Sequence, residues 1–94
     1  MKNSLSEVKF EELKGKSFEL ILIVEMLCEV CREPLGTKEK TLRKTQILSK
    51  EDYQNLLDRA TVHDRAEVDV ENSKIYFYDH DFPGVVHPEC IEKL

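Results

Sequence analysis

Cys28-Glu29-Val30-Cys31 and His87-Pro88-Glu89-Cys90 are two short motifs set far apart in this chain. Each places two donors three residues apart, a spacing at which one tight turn can aim both at a single ion. Together they offer three thiols and one imidazole, the tetrahedral N/S set that zinc takes. All three cysteines of the chain fall into this pattern, so no thiol is left over. Joining residue 28 to residue 90 constrains the fold more than any other feature of the sequence.

The need for such a join follows from size. A chain of 94 residues makes one domain whose core alone is marginal, and a metal cross-link is a common remedy. An odd number of cysteines argues against a closed disulfide framework. Reduced thiols binding zinc in a cytosol fit better. Charged residues are 35% of the chain, but the apolar residues cluster at Phe18–Leu27 and Ile75–Phe82, so an ordered fold is expected. Met1–Phe10 is polar and carries acids, unlike a secretory leader. The longest apolar run, Leu20–Val24, is bounded by Glu19 and Glu25 and is too short to span a bilayer. The expectation is a soluble, cytoplasmic protein with no membrane contact.

Local patterns place the motifs. Phe18, Leu20, Leu22, Val24 and Met26 alternate with Glu19, Ile21, Ile23 and Glu25, which predicts a strand over Ser17–Leu27 that runs into Cys28. Pro34-Leu35-Gly36 reads as a turn, Thr37–Lys44 as a polar basic loop, and Thr45–Leu48 as a short returning strand. Ser49-Lys50-Glu51-Asp52 carries a cap and acids in the first turn. The helix it opens should reach about Ala60 and bury Tyr53, Leu56, Leu57 and Ala60. Ala66–Val70 and Lys74–Tyr78 read as a hairpin turning at Glu71-Asn72-Ser73. Pro88 suits a first helical position, so Pro88–Leu94 should form a short terminal helix. Toward the N-terminus, Ser4-Leu5-Ser6-Glu7 could cap a short helix ended by Gly15, or Val8 and Phe10 could sit on a strand.

The order of strand, CxxC turn, hairpin and HxxC at a helix start resembles a treble-clef zinc finger. Val86-His87-Pro88-Glu89-Cys90-Ile91 is similar to the endings of LIM domains and of the poly(ADP-ribose) polymerase type of finger. The resemblance implies a structural zinc, function on the surrounding surface, and Ile91 packed beneath the terminal helix. Two features depart from it: 55 residues separate Cys31 from His87, and Arg32 follows the CxxC where many fingers have Gly. Independently of any family, Cys90 at a helix start should gain from the backbone N–H groups, which favour its thiolate.

Other constellations compete for function. Asp79-His80-Asp81 loosely resembles the Asp-His-Asp strand of HNH-type nucleases, which would make His80 a general base. No second His or Asn follows on the terminal segment. His80 is also the replacement donor should His87 not serve, while His63 reads as a surface loop residue. Lys38, Lys40, Arg43 and Lys44 form a basic cluster without interleaved aromatics, so base stacking there is not expected. Residues 1–44 balance to +1 and residues 45–94 to −6, giving the net −5, which counts against a general nucleic-acid binder.

The resulting expectation is an α+β, treble-clef-like domain spanning 1–94, with a short antiparallel sheet, one inserted helix and a short C-terminal helix. One zinc sits on Cys28, Cys31, His87 and Cys90. The expected role is a non-enzymatic protein-interaction module; its size and acidity resemble small phage or mobile-element regulators that bind a host protein. The alternatives are a nucleic-acid-binding finger led by residues 38–44 and a nuclease centred on His80.

Overall fold

The computed structural model describes residues 2–93. Five strands form one sheet: β1 (Lys2–Ser4), β2 (Ser17–Leu27), β3 (Pro34–Gln46), β4 (Arg65–Asp69) and β5 (Lys74–Asp81). Their order is β1-β4-β5-β2-β3. Helix α1 (Phe10–Leu13) and a 3-10 turn at Leu5–Glu7 lie between β1 and β2. Helix α2 (Lys50–Ala60) lies between β3 and β4. A 3-10 turn at Pro88–Lys93 follows β5; Leu94, expected at the end of that segment, lies outside the described residues.

The expected strand β2 forms, with burial alternating from Ser17 to Leu20 before Ile21 is buried on the other side, and the sheet has two unlike faces. Phe18 and Leu20 of β2, Ile75 and Phe77 of β5, and Ala66 and Val68 of β4 join Leu5, Val8, Leu13, Ile47 and Leu56 in one core. Tyr53, Leu57 and Ala60 of α2 pack against it, as the helical spacing predicts. Ser49 caps α2, accepting from the Asp52 N–H at 3.3 Å while the Asp52 carboxylate accepts from the Ser49 N–H at 3.1 Å. On the opposite face the aromatic rings are roofed by cations: Lys2 lies 4.1 Å from the Tyr76 ring centroid and Arg65 4.1 Å from that of Tyr78.

The sheet is larger than the short antiparallel one expected, and it is mixed. β2 pairs with β5 in parallel, from Glu19 opposite Lys74 to Met26 opposite Asp81, while its other neighbour, β3, is antiparallel. Parallel neighbours need a long crossover, supplied here by β3, α2 and β4. The consequence is positional: β2 and β5 finish at the same end of the sheet, so Cys28 and the segment leading to His87 leave side by side.

β3 corrects the expectation for residues 34–48. Pro34-Leu35-Gly36 does not turn and Thr37–Lys44 is not a loop; both lie in a strand ending at Gln46. The turn falls earlier, at 29–33, where Arg32 adopts a positive φ of 61°. β3 hides from pattern reading because it is an edge strand exposed on both faces along most of its length. Without a buried side it has no apolar alternation, and its Lys and Glu residues are poor strand formers. At the N-terminus the Ser4 cap does not form. Instead Glu12 accepts from the Lys9 N–H at 3.0 Å, opening α1, and Gly15 turns the chain at φ 78°.

The molecule is long and thin, 53 × 21 × 21 Å, with a radius of gyration of 16.2 Å. A compact chain of this length would have about 12 Å. The β2–β3 ribbon accounts for the difference: the core lies under its first half, and from Leu22 to Leu27 every residue of β2 is half-buried. The core at the sheet's centre is therefore what stabilises the fold apart from any metal. Phe77, fully buried, is its largest contributor on β5, and Phe77→Ala should cost about 3–5 kcal/mol. Urea denaturation followed by circular dichroism will read this loss as a lowered midpoint.

Candidate metal centre

The four expected donors meet at the end of the sheet. The Sγ atoms of Cys28, Cys31 and Cys90 and a ring nitrogen of His87 all lie within 4.8 Å of one another. Tetrahedral zinc with bonds of about 2.3 Å to sulfur and 2.0 Å to nitrogen spaces its ligand atoms by ~3.5–3.8 Å. Small side-chain movements would close this group onto an ion.

The local backbone explains the convergence. After β2 the chain folds into a closed turn, with the Cys28 N–H donating to Glu33 O at 3.0 Å and the Arg32 N–H to Cys28 O at 2.9 Å. The Val30 N–H points at Cys28 Sγ, 3.4 Å away. The second pair sits on one 3-10 turn, where the Cys90 N–H donates to His87 O at 2.9 Å. Cys31 Sγ and His87 Nδ1, from the two motifs, lie 3.2 Å apart. Cys28 and Cys90 are buried, His87 is half-buried and Cys31 is exposed, so the group lies at the surface of the sheet's end. Clefts of 230, 330 and 130 Å³ occur elsewhere, and none of the three is lined by a donor.

Electrostatics distinguish the thiols. Burial works against a Cys28 thiolate, but hydrogen bonding from the backbone of Cys31, His87 and Val30 overcomes it and lowers the thiol to about 6. Cys90 is pushed up to about 11, first by burial and then by the neighbouring sulfurs of Cys31 and Cys28. This reverses the expectation that a helix start would favour the Cys90 thiolate: one 3-10 turn provides less dipole than burial removes. His87 is raised to about 8 by its contacts with Cys31 and Cys28. Cys90, buried beside two other sulfurs, thus keeps its proton unless a cation replaces it. A divalent ion would supply that positive charge, and the donor set suits zinc. Cys28, Cys31, His87 and Cys90 would hold it.

The remaining sites fall outside this group. Contrary to the expectation for Ile91, its side chain is 58% exposed and does not pack under the terminal turn. His80 sits at the end of β5, where its Nδ1 bonds Asp64 Oδ2. His63 lies in the loop between α2 and β4, as expected, but is half-buried: its side chain is 12% exposed, it contacts Asp79 at 2.9 Å, and its ring lies 5.0 Å from that of Phe77. The two pairs, His63 with Asp79 and Asp64 with His80, tie the approach to β4 to the end of β5. Sequence reading missed this lattice, although the adjacent His63-Asp64 and Asp79-His80 dipeptides are its visible signal. Lys38, Lys40, Arg43 and Lys44 are exposed along β3. Asp69, in the hairpin, is buried and bonds Asn72 in the turn.

No family model matches this chain, and neither a curated protein nor a solved structure matches it.

Elemental analysis of the purified protein should find one zinc per chain. Such sites contribute on the order of 10 kcal/mol of apparent binding energy, so Cys28→Ser or Cys90→Ser should give insoluble or molten protein. Because His87 and Cys90 must shed protons to bind, zinc occupancy should fall as pH is lowered. Cooperatively folded protein without zinc would overturn the assignment.

The hydrogen bond to Asp64 raises the His80 pKa above its usual 6.5. The pair's stabilising contribution is therefore fully present below about 6.5 and is lost as pH rises through the folded value. An NMR titration should show His80 above 6.5 and nearer to it in Asp64→Asn. His80→Ala should retain its zinc. If that variant instead keeps zinc and fold but loses a Mg²⁺-dependent nucleic-acid cleavage present in the wild type, the nuclease reading displaces the one below.

Proposed function

We propose that residues 1–94 form a single zinc-binding, treble-clef-like domain that works as a non-enzymatic protein-interaction module. Convergence of the four donors is the observation that carries this reading. The ion would be structural, since the donors are all protein side chains and three of them are at least partly buried. The treble-clef likeness is supported by a CxxC turn at the end of a strand and by an HxxC pair on the first turn of a short helical segment.

The surface beside the donors supports binding to protein. Phe82, Val85 and Ile91 are 40%, 56% and 58% exposed, and all three neighbour the HxxC motif in sequence. Leu48 and Val62, exposed beside α2, lie apart from them in sequence; exposed apolar side chains near the donors suit a partner surface. Small regulators that bind a host protein work in this way, and cytoplasmic thiols would remain available to zinc. Among the described residues no helix is long and apolar enough to cross a membrane.

The basic residues exposed on β3 favour a second reading, nucleic-acid binding. Weighing against it are the net charge of −5 and the cations that already cover Tyr76 and Tyr78. Affinity capture from extracts of the source cells, beside a nucleic-acid shift assay across a salt series, tests the two. We expect a protein captured by the wild type and lost with Phe82→Asp/Ile91→Asp, while that variant keeps its zinc. A salt-dependent shift without specific protein capture would replace the module with a nucleic-acid finger.

A further inference from the structure

We propose that the free edge of β3 binds an extended acidic segment of a partner protein as a sixth strand. This names a partner class for the interaction module and rests on that reading. β3 is terminal in the sheet order, so along its 13 residues one side of the backbone meets no strand. Every second N–H and C=O on such an edge points outward, a template that an extended peptide can complete.

Charge selects the occupant. Lys38, Lys40, Arg43 and Lys44 are exposed on this strand against the single acid Glu39, and among the described residues none of the four forms an ion pair. The register assigns them to faces. Lys38 and Lys40 stand opposite Val24 and Leu22, and alternate positions on a strand share one face at ~6.8 Å spacing. A docked strand with acids at alternate positions would therefore set them beside both lysines. Arg43 lies past a bulge, where the register shifts between Leu20 and Ile21. It lines a cleft of about 130 Å³ with Thr45, Asp52, Asn55, Leu56 and Arg59. Asp52 already places a carboxylate there, so selection by charge rests on Lys38 and Lys40.

The same strand suits the other occupants less well. Antiparallel pairing of two copies centred on Thr41 would set Lys38 against Lys44 of the second chain, offset by Glu39 against Arg43, and edge lysines commonly oppose such self-association. A nucleic acid would meet the lysines but leave the outward amides and carbonyls without a matching ladder. It would also find no aromatic side chain between residues 34 and 46 on which to stack a base.

The test uses the full-length, zinc-loaded chain and a fluorescent peptide alternating Glu with Val, followed by anisotropy and amide hydrogen exchange. Binding should slow exchange of outward β3 amides. Lys38→Gln/Lys40→Gln should weaken it roughly tenfold, while Lys14→Gln/Lys16→Gln, an equal charge change elsewhere, should leave it within a factor of about two of wild type. The same peptide N-methylated at alternate residues keeps its charge but cannot form the ladder, and it should not bind. Equal binding of the methylated peptide would reduce the site to diffuse charge attraction and overturn the proposal. So would binding of a single-stranded oligonucleotide but not of the peptide, or no peptide binding at all. If the peptide fails while the wild type still captures a protein through the Phe82–Ile91 surface, edge pairing falls and the module reading stands.

Discussion

Parallel pairing of β2 with β5 is the constraint on which the rest of the structure depends. Two strands running the same way deliver their C-terminal ends to one place, and here each end leads into a donor pair. Had β5 run antiparallel to β2, Cys28 and His87 would have emerged at opposite ends of the sheet, and no local adjustment could have joined them. The crossover that parallel pairing demands also sets the fold's economy. It carries β3 to one side of β2, places α2 over the core, and brings β4 back as the hairpin partner of β5. Even the length separating the two motifs, long for a compact finger, is accounted for as the chain needed to make this return.

Much of this was legible in the residues. The alternation of β2, the Ser49 cap and apolar spacing of α2, the hairpin and the four donors can all be read directly, because each leaves a periodic or chemical mark. What could not be read belongs to pairing and exposure. Nothing in Lys74–Asp81 says that its neighbour is parallel, since direction is a property of topology. β3 is masked because an edge strand wetted on both faces has the composition of a loop, and its Pro34 and Gly36 imitate a turn. The partial burial of His63 in its loop was not legible because it comes from Phe77 and Asp79, distant in sequence. Likeness to larger fingers suggested a helix for Ile91 to pack beneath, and the helix start suggested a dipole for Cys90; the short 3-10 segment leaves Ile91 exposed, and burial outweighs the helix end at Cys90.

Stability is distributed unevenly along the sheet. Near Ser17 the two inner strands lie over a closed core of Phe18, Leu20, Ile75 and Phe77, with helices and the N-terminal segment around it. Toward Leu27 this cover thins to half-buried side chains, and the His–Asp pairs and the donor group take over where apolar burial ends. The two regions answer to different chemistry. One is held by apolar packing; the other depends on thiols, imidazoles and carboxylates, and therefore on protons and metal.

The 53 Å length of the molecule, against a width of 21 Å, has a consequence for assembly. A globular partner resting on the donor end need not overlap one seated over α2, because the ribbon holds the two regions apart. The β2 backbone, a single hydrogen-bonded element of 11 residues, makes that separation stiff. The donor end and the core end are thus separate surfaces joined by one hydrogen-bonded sheet.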